Sequence, residues 1–400
     1  MNPVYLGEPA LVSALGSGLS EHLDKLLDPP QTSPLTFDSS RIPGKTRALG
    51  AVSRPLRPMP ANLPAEHLSR NNRLLWDALE QIEPQIHAAV ERYGADRVAV
   101  VIGTSTSGVD ENIPFFRHIA QGGAPGGFPF RQQQPTLSAA ADFVRHVYRL
   151  DNMAYGVSTA CTSGARALVG AARLLDMGLC DAVICGGADT LSLLTVNGFC
   201  ALEVLSEGIA NPFSANRDGI NIGEAAAVFV ATREPNGRPA LLGYGNSSDA
   251  YHMSTPRPDA AGATAAFQAA LKSAALSAAD IGWINLHGTG TVHNDSMESR
   301  AVSQIFGNAT PATSTKPLTG HTLGAAGALE AAFLWAVACR EHNPEGRLPP
   351  HLWDGAADPA LPHIALTGTH SRWPHGRRIG ASSSFAFGGN NSVLLIGETN

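Results

Sequence analysis

Cys161 is the residue of this chain whose setting most strongly suggests covalent chemistry. A β-like run from Val157 breaks at this cysteine, and a helix-forming segment of small residues follows. A cysteine at a helix N-terminus faces unpaired backbone N–H groups and the positive end of the helix dipole, which favour its thiolate. Because a free cysteine often only packs in a core, a catalytic interpretation needs partners elsewhere in the chain.

Two histidines supply such partners. His287 ends an apolar strand-like segment and begins a Gly/Thr turn, and His321 leads into a second helix of small residues. Both stand at the ends of predicted elements, where catalytic side chains are commonly presented. One cysteine and two histidines far apart in sequence are typical of a nucleophile and two imidazoles that meet only in the folded protein.

The elements that must position these residues occur twice. A Ser-Thr pair precedes Cys161 and the helix at 164–175, and another precedes His321 and the helix at 323–334. Glycine and alanine at helical spacing predict that both helices are buried at close range against each other. Strand-like segments follow each helix, at 181–186, 225–232, 379–384 and 392–397. This alternation predicts α/β layers.

Six motifs in order resemble the elongating β-ketoacyl-acyl-carrier-protein synthases, the Cys-His-His condensing enzymes of the thiolase superfamily. The matching segments are ACTSG around Cys161, PFSANRDG from Pro212, SSDAYHM from Ser247, HGTGT from His287, STKPLTGHTLGAAGA from Ser314 and FAFGGNN from Phe385. The resemblance runs from about Val98 to Ile396. It implies the thiolase fold, with two similar βαβαβαββ-type halves in a five-layered α-β-α-β-α arrangement. The expected halves are residues 1–235, with Cys161, and residues 236–400, with the histidines.

The resemblance also implies a reaction. Cys161 accepts an acyl group from a thioester, and the backbone N–H groups of Cys161 and Phe387 form the oxyanion hole. Malonyl-carrier then loses carbon dioxide, and His287 and His321 stabilise the resulting enolate. The carbanion attacks the acyl group on Cys161.

Further residues match supporting positions of the family. Lys316 is expected to assist catalysis by orienting the histidines, paired with Glu298, and Asp295 lies in the same segment. Thr106 matches a position that lines the acyl tunnel, and Phe199 matches one near its mouth. The expected substrate-binding residues are Thr106, Phe199, Thr289, Thr291, Phe385, Gly388 and Gly389.

The chain departs from the family pattern at several of these positions. Thr106 is smaller and more polar than the bulky aliphatic residue common in long-chain relatives, which leaves substrate length open. Ala386 replaces a glycine in the loop that admits substrate, which predicts a stiffer loop. Asn390 and Ser214 also differ. Cys161, His287, Lys316 and His321 are all retained, so the chain is expected to be a catalytic subunit.

The family's partners follow from its substrates. Acyl chains arrive on the phosphopantetheine of an acyl carrier protein, so no cofactor of the enzyme's own and no metal are expected. Arg70 and Arg73 match the family's carrier-docking helix. Assembly as a homodimer, or as a heterodimer with a chain-length-factor-like homologue, is expected, and residues 199–205 lie where the partner chain would complete the acyl tunnel.

Composition excludes several other classes. The formal net charge of −6 over 400 residues argues against nucleic-acid binding. No apolar run approaches the ~20 residues of a membrane helix, so no membrane insertion is expected. Five cysteines without metal or disulfide spacing fit a reducing cytoplasm.

Three alternatives stay open. Within the family, a specialised pathway such as aryl polyene or polyketide-like lipid synthesis competes with housekeeping fatty acid elongation. A thiolase-like acyltransferase would use a second cysteine as base, which the two histidine motifs disfavour. A non-catalytic scaffold subunit is the third interpretation, and covalent labelling of Cys161 discriminates it.

Overall fold

The computed structural model describes residues 1–374 and 376–399. The strands of this part of the chain are β1 Val4–Leu6, β2 Ala10–Ser13, β3 Gly16–Ser17, β4 Thr36–Asp38, β5 Arg47–Leu49, β6 Val98–Gly103, β7 Ala154–Val157, β8 Ala182–Asp189, β9 Ala225–Thr232, β10 Ala240–Ser248, β11 Trp283–Asn285, β12 Pro311–Thr313, β13 Ala365–Leu366, β14 Ile379–Phe385 and β15 Asn390–Gly397.

The α-helices are α1 Leu19–Leu27, α2 Arg70–Leu79, α3 Glu83–Tyr93, α4 Ile113–Ala120, α5 Ala139–Tyr148, α6 Ser163–Asp176, α7 Leu193–Ala201, α8 Ala261–Ala274, α9 Val292–Phe306, α10 Lys316–Thr319 and α11 Ala326–Ala338. A short 3₁₀ turn, Leu323–Ala325, leads directly into α11. None of the helices in the described ranges is long and apolar enough to cross a bilayer.

Two similar strand patterns form one continuous sheet, in the order β13-β12-β11-β14-β15-β10-β1-β9-β8-β6-β7. In the first pattern β6 pairs in parallel with β7 and β8, and β8 pairs antiparallel with β9. In the second, β11 pairs in parallel with β12 and β14, and β14 pairs antiparallel with β15. The short strand β1 joins the two patterns by pairing with both β9 and β10.

Helices cover these strands in layers. Helices α2, α3 and α5 pack on the outer face of the first pattern, and α8 packs on β10 and β15 of the second. Between the two patterns lie α6, against β6 and β8, and α11, against β14 and β15. This helix, sheet, helix, sheet, helix arrangement confirms the predicted thiolase fold. The division of the chain at residues 235 and 236 stays a prediction.

The central helices α6 and α11 contact each other as their small residues predict. A Cβ atom added at Gly164 of α6 would lie 2.7 Å from the backbone nitrogen of Ala328. One added at Gly327 of α11 would lie 2.7 Å from the backbone nitrogen of Ala165. Because these distances exclude any side chain, the two helix N-termini meet at one point. Cys161 immediately precedes the first of them.

Candidate active site

Cys161 lies in a tight turn between β7 and α6. Ala160, directly before it, has a left-handed φ of 52°, which bends the chain sharply. The Ser163 hydroxyl closes the turn, accepting the Thr159 N–H at 2.9 Å and donating to the Ala160 carbonyl at 2.6 Å. The thiol is thereby held at the start of α6, with the residue 7% exposed.

Both predicted histidines lie beside this thiol. The Nε2 atom of His321 is 3.0 Å from the Cys161 Sγ. The rings of His287 and His321 have centroids 5.2 Å apart and are nearly perpendicular. His287 follows β11, and His321 stands between α10 and the 3₁₀ turn before α11. Three groups separated by up to 160 residues thus meet at one point.

Lys316 lies behind His287 but does not pair with Glu298, so that prediction is wrong. Its ammonium donates to the Glu330 carboxylate of α11 at 2.5 Å, and both side chains are buried. Lys316 Nζ is also 3.5 Å from Nδ1 of His287. An ammonium group only donates, so Nδ1 must accept and the His287 proton is placed on Nε2.

Glu298 instead holds the loop that carries His287. Its carboxylate accepts the His287 N–H at 2.8 Å, the Gly288 N–H at 2.7 Å and the Ser383 hydroxyl at 2.7 Å. Burial raises its pKa to about 7 against the lowering effect of these donors. The pairing with Lys316 fails because two backbone donors of the histidine loop and the Ser383 hydroxyl of β14 already occupy this carboxylate.

Asp295, one helical turn before Glu298, anchors the other end of the same loop. Its carboxylate accepts the Phe213 N–H at 2.8 Å and the Gly290 N–H at 3.3 Å. Burial raises its pKa to about 6, again opposed by the hydrogen bonds that it accepts. Two carboxylates of α9 therefore fix the backbone on which His287 is mounted.

The electrostatics at Cys161 differ from the sequence-based expectation of a favoured thiolate. Burial raises the pKa of the thiol to about 11, although the Lys316 charge and two backbone N–H groups lower it. Loss of solvation outweighs the helix N-terminus because the sulfur is almost completely enclosed. At neutral pH the resting cysteine is a thiol, with His321 in reach of its proton.

Both histidines are neutral. Burial, and next the Lys316 charge, lower the pKa of His287 and of His321 well below the ordinary value. The possible ligand atoms of Cys161, His287 and His321 lie within 4.8 Å of one another, a donor set that zinc accepts. The Lys316 ammonium beside them disfavours a divalent cation. The absence of a metal stays a prediction.

The two predicted oxyanion donors face the sulfur. The backbone N–H groups of Phe387 and of Cys161 itself favour a charged sulfur, since both lower the pKa of the thiol. They converge there because the loop after β14 folds over the start of α6. A carbonyl carbon attached to Sγ would place its oxygen beside these two donors.

A cavity of about 270 Å³ opens from Cys161 to the surface. Four of the predicted substrate-binding residues line it: Phe199, Thr289, Thr291 and Phe385. The rings of Phe199 and Phe387 lie 5.6 Å apart, so they meet across the cavity. Cys161 is the one cysteine of the described residues on its wall.

The other three predicted substrate-binding residues lie outside the lining of this cavity, and their assignment stays a prediction. Thr106 is buried, and its hydroxyl donates to Asp189 at 2.8 Å. Gly388 and Gly389, with φ of 84° and 75°, instead form the turn behind Phe387. The Gly388 N–H donates to the Met253 carbonyl, which joins two loops at the cavity mouth.

The two arginines predicted to dock the carrier differ in whether a carboxylate of this chain holds their side chain. Arg70 is bound through Nε, at 2.9 Å, and through Nη2 to the buried carboxylate of Glu224. Arg73, one turn further along α2, is exposed. The structure therefore gives Arg70 a structural partner that the sequence did not suggest.

Glu330 is a site residue that the sequence interpretation missed. It is the single ionisable residue of α11, whose other side chains are apolar and buried. A lone carboxylate in such a helix almost always has a buried cationic partner, and this signal points to Lys316.

His351 and Ser314 were also missed. His351 accepts the Ser314 N–H at Nδ1, and its Nε2 lies 3.0 Å from the Pro212 carbonyl. The Ser314 hydroxyl donates to the Gly288 carbonyl at 2.6 Å. Together they join the loops of both catalytic histidines, but isolated polar residues gave no such signal in the sequence.

Two family models match this chain. Residues 65–236 match the family described as the beta-ketoacyl synthase N-terminal domain, and residues 240–343 match its C-terminal domain. Nodulation protein E of Rhizobium leguminosarum bv. trifolii is 31% identical over 363 residues, which cover 87% of this chain and 88% of that protein. The 3-oxoacyl-[acyl-carrier-protein] synthase 2 of Rhizobium meliloti is 35% identical over 278 residues, 65% of this chain and 64% of that protein.

A solved structure is similar over the whole chain. The structure of a ketosynthase (ApeO) in complex with its chain length factor (ApeC) from Xenorhabdus doucetiae contains a chain with 43% sequence identity. The TM-score is 0.91, and the similarity covers 100% of this chain and 98% of that one. Sequence, fold and site geometry agree: this chain belongs to the β-ketoacyl synthase family, acyltransferases that form carbon–carbon bonds by condensation.

Proposed function

We propose that Cys161, His287 and His321 carry out a decarboxylative Claisen condensation between an acyl group and malonyl-carrier. In the first half-reaction the Cys161 sulfur attacks an acyl thioester and the carrier thiol leaves. The thiol proton passes through His321 to the departing sulfur, so the net change is thioester exchange. The backbone N–H groups of Cys161 and Phe387 stabilise the tetrahedral oxyanion.

In the second half-reaction malonyl-carrier loses carbon dioxide, and the electron pair of the broken bond forms an enolate. The Nε2–H of His287 donates to the enolate oxygen, since Lys316 occupies its Nδ1 side. His321 supplies the second donor in its other neutral tautomer, with the proton on Nε2. The enolate carbon then attacks the acyl carbonyl on Cys161, and the sulfur leaves as a thiolate that takes up a proton from solvent, giving the 3-oxoacyl product on the carrier.

The contact between His321 Nε2 and the Cys161 Sγ, 3.0 Å, is the observation that carries this proposal. It joins the candidate nucleophile to a neutral imidazole at the inner end of the cavity. A thiolase-like reaction would need a second cysteine as base, and no other described cysteine lines the cavity.

Intact-mass measurement after incubation with an acyl-carrier substrate tests the nucleophile. We expect one acyl adduct on the wild-type chain and none on Cys161→Ala, with both proteins folded. Cys200→Ala is the matched control, because Cys200 is half-buried next to Phe199 and should leave acylation unchanged. An acyl adduct that persists on Cys161→Ala contradicts the assignment.

We propose an acyl carrier protein and a chain-length-factor-like homologue as the partners. The similar structure from Xenorhabdus doucetiae is described as a ketosynthase with its chain length factor. The ishigamide ketosynthase/chain length factor also has a TM-score of 0.85 at 25% identity. Co-purification from the native host, with mass spectrometry of the bound chain, separates heterodimer from homodimer, and an active monomer contradicts both.

We place the reaction in a specialised pathway, such as aryl polyene or polyketide-like lipid synthesis. The identity of 43% to the chain of the ketosynthase complex exceeds the 35% to a 3-oxoacyl-carrier-protein synthase 2, which supports this placement over housekeeping elongation. A cytoplasmic location is part of the proposal, supported by five unpaired cysteines. Mass spectrometry of carrier-bound products distinguishes unsaturated polyketide-like chains from saturated fatty acyl chains.

A further inference from the structure

The carboxylate of Asp189 lies at the end of β8, completely buried, and is not used in the reaction proposed above. Donors surround both of its oxygens. Oδ1 accepts the Thr104 hydroxyl at 2.7 Å and both the N–H and the hydroxyl of Thr106 at 2.8 Å. Oδ2 accepts the Ser105 hydroxyl and the Gly324 N–H, both at 2.6 Å, and the Ser105 N–H is shared by both oxygens.

These donors come from two different parts of the chain. Residues 104–106 follow β6 of the first strand pattern, whereas Gly324 lies in the 3₁₀ turn three residues after His321. A Cβ atom at Gly324 would lie 2.6 Å from Oδ2 of Asp189, so the turn sits directly on the carboxylate. Asp189 is therefore a single side chain that joins the loop after β6 to the turn that carries His321.

Both joined segments contain a strained residue. Leu323, between His321 and Gly324, has a left-handed φ of 52°, and Ser107 has one of 47°. Such conformations cost energy in residues other than glycine and persist only where neighbouring contacts fix them. The bonds from Asp189 to Gly324 on one side, and to residues 104–106 on the other, are contacts of that kind.

Asp189 is also electrostatically linked to the nucleophile. Burial is the main reason that the pKa of Cys161 is raised to about 11, and the negative charge of Asp189 adds to it. The carboxylate therefore acts on the two groups that lie 3.0 Å apart in the site, on His321 through the backbone and on Cys161 through its charge.

We propose that Asp189 is a positioning residue for the condensation, which sets His321 against Cys161 by anchoring the Gly324 turn; this rests on the proposed function. Both oxygens must accept because their partners include three backbone N–H groups, which can only donate. In the Asp189→Asn variant, the amide oxygen would occupy the Oδ1 position and the NH₂ group would replace Oδ2, facing the Gly324 N–H. Two donors would then face each other, and the turn would lose its anchor.

The test compares Asp189→Asn with wild type in two assays on folded protein. The first is malonyl-carrier decarboxylation, which we expect to fall about tenfold or more because small displacements of a catalytic group are costly. The second is the pH dependence of Cys161 alkylation by iodoacetamide, which needs no substrate. We expect the curve to move to lower pH by about half a unit or more, since a negative charge near the thiol is removed.

Asp77→Asn is the matched control, because Asp77 is an equally buried carboxylate that pairs with Arg54 and accepts the Arg57 N–H. It should lower thermal stability without changing either assay. The inference is overturned if Asp189→Asn decarboxylates at the wild-type rate and its alkylation curve does not shift. It is also overturned if the alkylation curve of Asp77→Asn shifts by the same amount.

Asp189→Glu covers the case in which Asp189→Asn does not fold. It keeps the charge but displaces the carboxylate by one methylene, so decarboxylation should fall while the alkylation curve stays in place. Wild-type decarboxylation in Asp189→Glu would contradict the inference. If the wild-type protein itself does not decarboxylate malonyl-carrier, the proposed function fails instead.

Discussion

The two halves of the site hold their reactive groups by different means. The turn that presents Cys161 is closed by neutral groups, the Ser163 hydroxyl and backbone carbonyls. The loop that presents His287 is held by the carboxylates of Glu298 and Asp295, with the Lys316–Glu330 ion pair behind it. A neutral turn depends on backbone geometry, whereas a buried ionic network depends on each charge keeping its partner.

Because of this difference, substitutions on the two sides of the site should affect reaction rate and folding stability differently. Removing the Cys161 thiol leaves no charge without a partner, so the loss should be confined to the reaction. Removing one member of the histidine-side network leaves a buried charge uncompensated, and folding should suffer as well. The following predictions test that contrast, in order of decreasing expected effect.

Removal of either imidazole should have the largest effect after loss of the nucleophile. We expect His287→Ala and His321→Ala each to slow malonyl-carrier decarboxylation on the order of 10²-fold or more, because each removes a donor to the enolate oxygen. His363→Ala, an exposed histidine outside the cavity, is the control. Wild-type decarboxylation in both variants would show that the enolate role is wrong.

Lys316→Met should cost both stability and activity. It leaves the Glu330 carboxylate buried without its cation, a loss of about 3 to 5 kcal/mol in the free energy of unfolding. The double variant with Glu330→Leu should regain most of that stability but not decarboxylation, since Nδ1 of His287 still lacks its donor. Urea unfolding and decarboxylation rates measure the two effects, and recovery of activity in the double variant contradicts the role of Lys316.

The pH dependence of Cys161 alkylation tests the turn that presents Cys161. Because burial raises the pKa of the thiol to about 11, the reactive thiolate is a minor species at neutral pH. The rate of Cys161 alkylation should therefore rise nearly tenfold per pH unit from pH 7 to 10, as measured by mass spectrometry of the labelled peptide. A plateau below pH 9 would show that the helix N-terminus outweighs burial.

Arg70 and Arg73 allow a comparison between an arginine with a buried carboxylate partner and an exposed arginine on the same helix. Arg73→Glu should raise the apparent KM for acyl-carrier severalfold, flatten its salt dependence and leave stability unchanged, because the side chain is exposed. Arg70→Glu should raise KM and also destabilise the fold, since it leaves the Glu224 carboxylate buried and unpaired. Unchanged kinetics in Arg73→Glu would move carrier docking elsewhere.

Ala386→Gly should have the smallest effect. Ala386 keeps an ordinary φ, and its N–H donates to the Asn390 carbonyl at 2.8 Å. Glycine could reach positive φ during loop opening, a conformation that costs alanine roughly 1 kcal/mol or more. We expect faster acylation of Cys161 with bulky acyl chains and a slight loss of stability. Equal acylation rates across short, long and conjugated chains would remove the gating role of this methyl group.

The sequence predicted the fold and the central residues because each left a local signal. The small-residue helices and the alternating strands identified α6, α11, β8, β9, β14 and β15 within a few residues of their observed bounds. Cys161, His287 and His321 were identified because each stands at an element end within a family motif. These signals come from backbone geometry and close packing, which short stretches of sequence determine.

The charge partners were harder to predict. The family resemblance pairs Lys316 with Glu298, whereas its partner is Glu330, brought near by the burial of α11. Arg70 matches a docking position, and nothing in its helix reveals its partner Glu224. The thiol of Cys161 was expected to be acidic because burial cannot be read from the helix N-terminus alone. Pairings across distant elements depend on tertiary packing, which local sequence does not encode.

The close contact of α6 and α11 limits which helices can be exchanged between related enzymes. Gly164 and Gly327 each approach backbone of the opposite helix, so neither position accepts even a methyl group without displacement. A chimeric enzyme that takes one central helix from a relative keeps its register only if both glycines survive the exchange. The two halves are therefore expected to diversify together as a matched pair, while the loops at the cavity mouth vary independently and adapt the enzyme to new acyl chains.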